Sequence, residues 1–182
     1  PGFTSGIQNP TIANATTAAT GVYTVTASNG CGTNATANVS VTVTAAPTAG
    51  SLSGGQNICV GGSTTFSSTV GGGTWNSSNT GVATINSSTG AITGMGAGTA
   101  TMTYTVAGTG GCSNATATRT VTVTAATNNT TTASACDSYT WGVNGQTYTQ
   151  SGTYTSVSGC HTETLVLTIT PSSSNTTTVS EC

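Results

Sequence analysis

Hydrophobic and polar positions alternate with a period of two residues along most of this chain. Such alternation is typical of strands that bury one face. Glycine-rich breaks separate the alternating runs, and no stretch combines the 3.6-residue period of a helix with helix caps. The pattern therefore predicts an all-β chain of short strands joined by glycine turns. The clearest predicted strands are Val22–Thr26, Ala37–Thr44, Thr99–Val106, Thr116–Thr124 and Thr162–Thr170.

The chain also contains an internal repeat. The segment Ser174–Cys182 (SNTTTVSEC) nearly restates Asn128–Cys136 (NNTTTASAC). We expect residues 172–182 to begin a further copy of a repeated unit, and the chain to be a segment of a longer repetitive polypeptide. Chains built of repeats commonly supply reach and extended binding surfaces, whereas an enzyme needs one unique pocket.

Three units are predicted before that further copy. Residues 1–46 correspond to the C-terminal strands of a partial β-sandwich, and residues 47–126 are long enough for one complete sandwich. Residues 127–171 form a small β module, which buries too little surface alone and should need a disulfide and its neighbours. Short linkers at 45–50 and 125–129 would join these units nearly end to end, as tandem β-sandwich modules in a linear array.

Charged residues are almost absent, which excludes several classes of function. The 182 residues include one Lys or Arg and three Asp or Glu, whereas about a quarter of a typical soluble domain is charged. A single basic residue cannot neutralise a run of phosphates, so we expect no nucleic-acid partner. No apolar run approaches the roughly 18 residues of a spanning helix, so we expect no membrane insertion. Three scattered acids do not make a calcium site, and no cofactor is expected.

The six cysteines indicate an oxidising compartment. None forms a Cys-x-x-Cys pair and only one His is present, so the spacing of a zinc site is absent. Cys31 and Cys182 are left over, and we expect each to pair beyond this segment, with a direct bond between them formally open. The expected disulfides are Cys59 with Cys112 and Cys136 with Cys160.

The segment Thr74–Val106 (TWNSSNTGVATINSSTGAITGMGAGTATMTYTV) resembles bacterial Ig-like group 2 domains. It carries a Trp strand, a VATI strand, a turn at Thr89–Gly90 and a GxGTATMTY strand. The order Cys59, Trp75, Cys112 is similar to the Cys–Trp–Cys order of immunoglobulin sandwiches, except that Cys112 lies in a glycine-rich loop. The bond expected there would staple one end of the sandwich, with Trp75 in the core near it.

The flanking units are similar to repeats of Bacteroidetes surface proteins. Their Ig-like or PKD-like repeats are similar to residues 1–31 (PGFTSGIQNPTIANATTAATGVYTVTASNGC). Their short Cys-containing β repeats are similar to Cys136–Ile169. The resemblances imply a very long secreted adhesin or surface filament, exported by the type IX route and similar in style to gliding-motility adhesins. They imply neighbouring repeats, identical chains in a filament, and a surface glycan or a host or substratum ligand as partners. They bring no catalytic residue.

Two groups of side chains in residues 127–171 are candidate sites. Asp137, His161 and Glu163 would meet if Cys136 and Cys160 were bonded, either as a metal or acid–base site or, as we favour, as a surface ion pair. Four aromatic residues could stack on sugar rings, although a role as the core of the small module is simpler. These aromatic residues are Tyr139, Trp141, Tyr148 and Tyr154.

Repeated Thr-x-Thr pairs resemble ice-binding arrays, but their irregular spacing favours ordinary exposed strand threonines. The leading hypothesis is a structural segment of an extracellular surface filament or adhesin stalk at the bacterial cell surface, without enzymatic activity. The alternative is a carbohydrate-binding module that uses the aromatic residues of 127–171.

Overall fold

The computed structural model describes residues 2–28 and 30–172, and it confirms the all-β prediction. About 50% of the described residues are in strands and 2% are helical. Each predicted run falls on an observed strand, although the second strand ends at Val41, earlier than expected. No helix in this described part is long and apolar enough to cross a bilayer. The predicted start of a further repeat lies almost wholly outside the described residues.

The N-terminal region (residues 2–28 and 30–46) is a hairpin with little protected interior. A 3-10 helix, Thr17–Ala19, precedes strands β1 (Gly21–Ala27) and β2 (Ala35–Val41), which pair antiparallel. The Tyr23 hydroxyl donates a hydrogen bond to the Ala19 carbonyl at 2.7 Å. No described residue of this region is buried. A two-stranded sheet of this kind is marginally stable by itself.

The central region (residues 47–126) has two main sheets that enclose one core. One sheet has the order β4-β11-β10-β7, the other has the order β5-β9-β8, and β3 pairs with β6 at the side. The strands are β3 (Leu52–Ser53), β4 (Asn57–Cys59), β5 (Ser63–Thr65), β6 (Ser67–Ser68), β7 (Thr74–Ser77), β8 (Ala83–Ile85), β9 (Ala91–Gly94), β10 (Gly98–Val106) and β11 (Ala115–Thr124).

The core of the central region follows directly from the period-two pattern. On β10, Ala100, Met102 and Tyr104 point inward, while the threonines between them are less buried. Trp75 is 6% exposed, and its ring lies 4.7 Å from the ring of Tyr104, centroid to centroid. The prediction that Trp75 belongs to the core is confirmed. Because Tyr104 also donates its hydroxyl to the Val70 carbonyl at 2.8 Å, its polar end is satisfied within the fold.

The predicted turn at Thr89–Gly90 extends the pairing of β5 with β9 by one position. Gly90 has φ of +72°, a conformation that side-chain-bearing residues rarely adopt. Its carbonyl accepts the Phe66 amide at 2.9 Å, and a Cβ atom at this position would collide with the Phe66 carbonyl oxygen. Only glycine, which has no Cβ atom, lets the backbone come this close to Phe66, which is fully buried.

The C-terminal region (residues 127–172) is built on one three-stranded sheet. Its order is β12-β16-β15, and a short hairpin, β13 with β14, belongs to the same hydrophobic core. This core buries Trp141, Leu165 and Leu167. The strands are β12 (Thr127–Cys136), β13 (Tyr139–Thr140), β14 (Thr147–Tyr148), β15 (Gly152–Ser158) and β16 (His161–Thr170).

Strand β12 corrects the prediction of a linker at residues 125–129. It begins at Thr127 and pairs in parallel with β16 over ten residues, from Thr127 opposite His161 to Cys136 opposite Thr170. Only Ala125 and Ala126 therefore separate it from β11. The first six residues of β12 are polar and exposed, and only Ala133 and Ala135 near its end alternate with exposed neighbours, so it lacks the long alternation that marks the other long strands.

Candidate functional site

A disulfide joins the central region to the C-terminal region. It links Cys59, the last residue of β4, to Cys160, which directly precedes β16, with the two Cα atoms 5.4 Å apart. Cys59 lies opposite Thr124, and the Cys160 carbonyl accepts the Thr127 amide at 2.9 Å. The bond therefore spans the two-residue connection between β11 and β12.

The predicted pairing of Cys59 with Cys112 is wrong. Cys112 lies in the turn between β10 and β11, where its thiol donates to the Thr44 carbonyl at 3.7 Å. Cys59 lies at the far end of β11, ten strand residues away. At about 3.3 Å per residue the separation is roughly 30 Å, whereas disulfide-bonded Cα atoms lie within about 7 Å.

The predicted pairing of Cys136 with Cys160 is wrong for the same reason. Parallel pairing of β12 with β16 places Cys136 opposite Thr170, at the end of the sheet away from Cys160. Cys112 and Cys136 carry free thiols. Cys31 is exposed, and its pairing beyond this segment stays a prediction. Cys182 lies outside the described residues.

A row of polar side chains lies beside the disulfide, on the face of the sheet that also carries the core. The Thr127 hydroxyl contacts His161 Nδ1 at 2.7 Å, and His161 Nε2 contacts Glu163 Oε1 at 2.8 Å. Asn129 donates its amide to Glu163 Oε2 at 3.1 Å. The predicted meeting of His161 and Glu163 is confirmed, because residues two apart on a strand share a face.

Asp137 does not join this row, which corrects the expectation that it would. It follows β12 at the opposite end of the sheet, where its carboxylate accepts the amide and the hydroxyl of Ser172 at 2.8 and 2.7 Å. These two bonds hold the pKa of Asp137 below its usual value, and the bond from the Ser172 amide has the larger effect. The expectation depended on a Cys136–Cys160 bond and fails with it.

The charges and hydrogen bonds of this polar row are those of a structural contact between two strands. The hydrogen bond from His161 lowers the pKa of Glu163 below its usual value, desolvation opposes this, and the Asn129 amide adds to it. The side chains of His161 and Glu163 are 40% and 21% exposed. No group of three or more His, Cys, Asp or Glu residues that could hold a metal ion is present in residues 2–28 and 30–172. The polar atoms instead tie β12 to β16 next to the disulfide.

The aromatic residues of the C-terminal region serve its interior. Trp141 is 3% exposed, and Tyr139, Tyr148 and Tyr154 are each partly buried against the same core. The rings of Tyr148 and Tyr154 stack on each other with centroids 3.8 Å apart. The indole of Trp141 is thus closed to a sugar ring, and the two tyrosines each cover a face of the other.

Arg119, the single basic residue, has a structural role that the sequence did not indicate. From β11 its guanidinium donates to the carbonyls of Leu52 and Gly54 at 3.3 and 2.7 Å. Its Cζ also lies 5.3 Å from the centroid of the Phe66 ring. Arg119 therefore fastens the β3 segment to the sheet that contains β11.

A groove in the N-terminal region carries no charged side chain. It has a volume of about 690 Å³ and runs between residues 3–10 and the β1–β2 hairpin, with Tyr23, Val25 and Val39 in its wall. Val25 and Val39 are 65% and 59% exposed. The groove offers apolar surface and hydroxyls but no nucleophile paired with a base.

Comparisons with known proteins do not assign the chain to a family. No protein-family model matches it, and no curated protein matches it.

Proposed function

We propose that this chain is a structural segment of a long extracellular surface filament or adhesin stalk, in which Ig-like modules follow one another in a linear array. The single observation that carries the proposal is the junction between the central and C-terminal regions. A spacer needs joints that transmit orientation, and this junction combines a covalent bond with backbone hydrogen bonds. The role is mechanical and non-catalytic, at the surface of a secreting bacterium.

The junction supports a fixed angle between neighbouring units. The Val60 amide donates to the Thr124 carbonyl at 2.9 Å on one side of the connection, and the Thr127 amide donates to Cys160 on the other. Only Ala125 and Ala126 lie between these points. Flexible linkers owe their freedom to length and to unpaired backbone. This connection is only two residues long, and the backbone on both sides of it is hydrogen-bonded.

The composition supports an extracellular spacer that tolerates changes of ionic strength. With a single cation and three acids, the chain has few charge pairs for salt to screen. The resemblance to Bacteroidetes surface repeats supports the same setting, with neighbouring repeats and identical chains as partners. We expect the melting temperature to change little between low and high salt.

The carbohydrate-binding alternative is less well supported. A sugar platform needs aromatic faces open to solvent, but Trp141 is buried and Tyr148 stacks on Tyr154. If the chain binds a surface glycan or a substratum, the aromatic core of the C-terminal region is not the surface that we propose for it.

Small-angle scattering and glycan binding test this proposal together. The expected result is an elongated particle whose maximum dimension stays the same from 20 mM to 1 M NaCl, with no saturable binding to soluble glycans. A compact particle would contradict the stalk. Saturable glycan binding that Tyr154→Ala abolishes, and that the surface control Thr155→Ala leaves intact, would favour the alternative.

A further inference from the structure

We infer that the Cys59–Cys160 disulfide is a covalent bypass that carries tension past almost the whole of the central and C-terminal regions. The inference deepens the proposed stalk function and rests on it for its biological meaning. The two cysteines are 101 positions apart, so 100 residues lie between them. Those residues form a closed loop that tension along the chain cannot extend while the bond is intact.

The route of tension follows from chain topology. A pull applied before β3 passes through β3 and β4 to Cys59, crosses the sulfur–sulfur bond to Cys160, and leaves along β16. Strands β5 to β15 lie outside this route. The buried residues Phe66, Met102 and Trp141 all belong to the bypassed loop, so unfolding their surroundings adds no length between the two ends.

Two of the three strands in the route, β4 and β16, are paired along their length. Strand β4 pairs in parallel with β11, from Asn57 opposite Thr122 to Cys59 opposite Thr124. Strand β16 is the central strand of its sheet, paired with β12 over ten residues and with β15 over seven. Tension along β16 is carried by its own backbone, which is already nearly fully extended, so β16 adds little length under load.

The position of the bond distinguishes a bypass from an ordinary staple. Bonds at the predicted positions, Cys59–Cys112 and Cys136–Cys160, would have closed two shorter loops, each within one region, and left the connection at Ala125 and Ala126 under tension. The observed bond removes that connection from the route. The joint between the regions is thereby protected together with their cores.

The bypass is also a redox-dependent limit on length. A dithiol reductant converts the disulfide to two thiols and is itself oxidised to a disulfide, with two electrons and two protons transferred. Reduction returns the 100 bypassed residues to the extensible chain. At about 3.3–3.6 Å per extended residue, the fully stretched length should grow by roughly 330–360 Å.

Single-molecule stretching of the full chain tests the bypass. Azide-bearing residues replace exposed Thr48 and Pro171 as tether points, and Cys31→Ser with Cys182→Ser removes the two cysteines outside the tethered segment. Without reductant, we expect the stretched length between tethers to be roughly 330–360 Å shorter than in dithiothreitol. The variant Cys59→Ser/Cys160→Ser should show the long form under both conditions, and the matched variant Cys112→Ser/Cys136→Ser should behave as the parent does.

Two outcomes would overturn the bypass. Equal lengths with and without reductant would show that no bond closes the loop. A smaller difference that disappears in Cys112→Ser/Cys136→Ser would show that the bonds lie within the separate regions. Either outcome is distinguishable from failure of the stalk proposal, which the particle shape and glycan binding decide.

Discussion

The central and C-terminal regions have similar strand-rich architectures but are stabilised in different ways. The central region buries eleven residues in one core, whereas the described core of the C-terminal region buries three. The smaller region compensates with the Cys59–Cys160 bond, the polar row beside that bond and a long parallel strand pair. From this comparison we expect the C-terminal region to depend on its neighbour, because a unit of its size buries too little surface alone.

Equivalent core truncations should have the largest and the most unequal effects. Trp75→Ala and Trp141→Ala each remove a buried indole, at a cost of about 3–5 kcal/mol. Stability scales at roughly 0.05–0.15 kcal/mol per residue, so this loss approaches the whole stability of the smaller region. We expect Trp141→Ala to abolish hydrogen-exchange protection in β15 and β16, and Trp75→Ala to leave the central region folded but less stable.

If Trp75→Ala and Trp141→Ala retained hydrogen-exchange protection equally, the proposed difference between the two regions would be contradicted. It would mean that the C-terminal region has a stability of its own that its small core does not explain. Phe3→Ala, in the N-terminal region, is a suitable control because it removes an aromatic ring that belongs to neither core.

Loss of the disulfide should have the next largest effect, concentrated in the C-terminal region. Removing a disulfide that closes a long loop typically costs about 2–4 kcal/mol. In Cys59→Ser/Cys160→Ser, we expect faster amide exchange in β12 and β16 and at the amides of Val60 and Thr127, with the core of β10 still protected. Cys112→Ser serves as the control. Uniform destabilisation of β10 and β16 would contradict the asymmetry.

Removing the guanidinium of Arg119 should produce a smaller effect, limited to the central region. Arg119→Met retains the aliphatic stem but loses two hydrogen bonds to carbonyls and the contact with Phe66, for an expected loss of about 1–3 kcal/mol. Arg119→Lys retains the charge without the forked donors, so it should give an intermediate loss. Denaturant unfolding followed by the fluorescence of Trp75, compared with that of Trp141, assigns the loss to a region. An equal shift for both would argue against a local clamp.

The smallest expected effect is a dependence on acid pH in the C-terminal region. The pKa of Glu163 is lowered in the folded protein from the ordinary 4.5. The stability that its bonds provide is therefore fully present above about pH 4.5 and is lost as pH falls through the lower folded pKa. We expect Glu163→Gln to flatten this part of the stability profile for β16. An unchanged profile in that variant would show that Glu163 does not contribute.

The sequence was informative where one strand face is buried and the other is not. Strands β10, β11 and β16 carry alternating residues, so their positions could be predicted. Core roles for Trp75 and Trp141 could be predicted because aromatic side chains bury large areas. Strand β12 could not, because the apolar side of TNNTTTASAC is limited to Ala133 and Ala135 and most of its length is polar and exposed. The polar pair of His161 and Glu163 could be predicted because it lies within one strand.

The disulfide could not be predicted because it depends on β12. Without the parallel pairing, nothing in the sequence indicates that Cys136 and Cys160 lie at opposite ends of one sheet. Spacing along the chain favours disulfides between cysteines that are near in sequence. The observed bond instead joins two cysteines 101 positions apart, which the fold brings together on either side of a two-residue connection. The role of Arg119 was hidden for a similar reason, since its partners are backbone carbonyls more than sixty positions away.

Trypsin tests the disulfide most directly, because the chain has a single basic residue, Arg119. After thiol alkylation and denaturation of the Cys31→Ser/Cys182→Ser variant, cleavage gives fragments 1–119 and 120–182. A Cys59–Cys160 bond predicts that the fragments stay together on a non-reducing gel and separate only when reductant is added. Separation without reductant, which bonds at Cys59–Cys112 and Cys136–Cys160 would produce, would contradict the account.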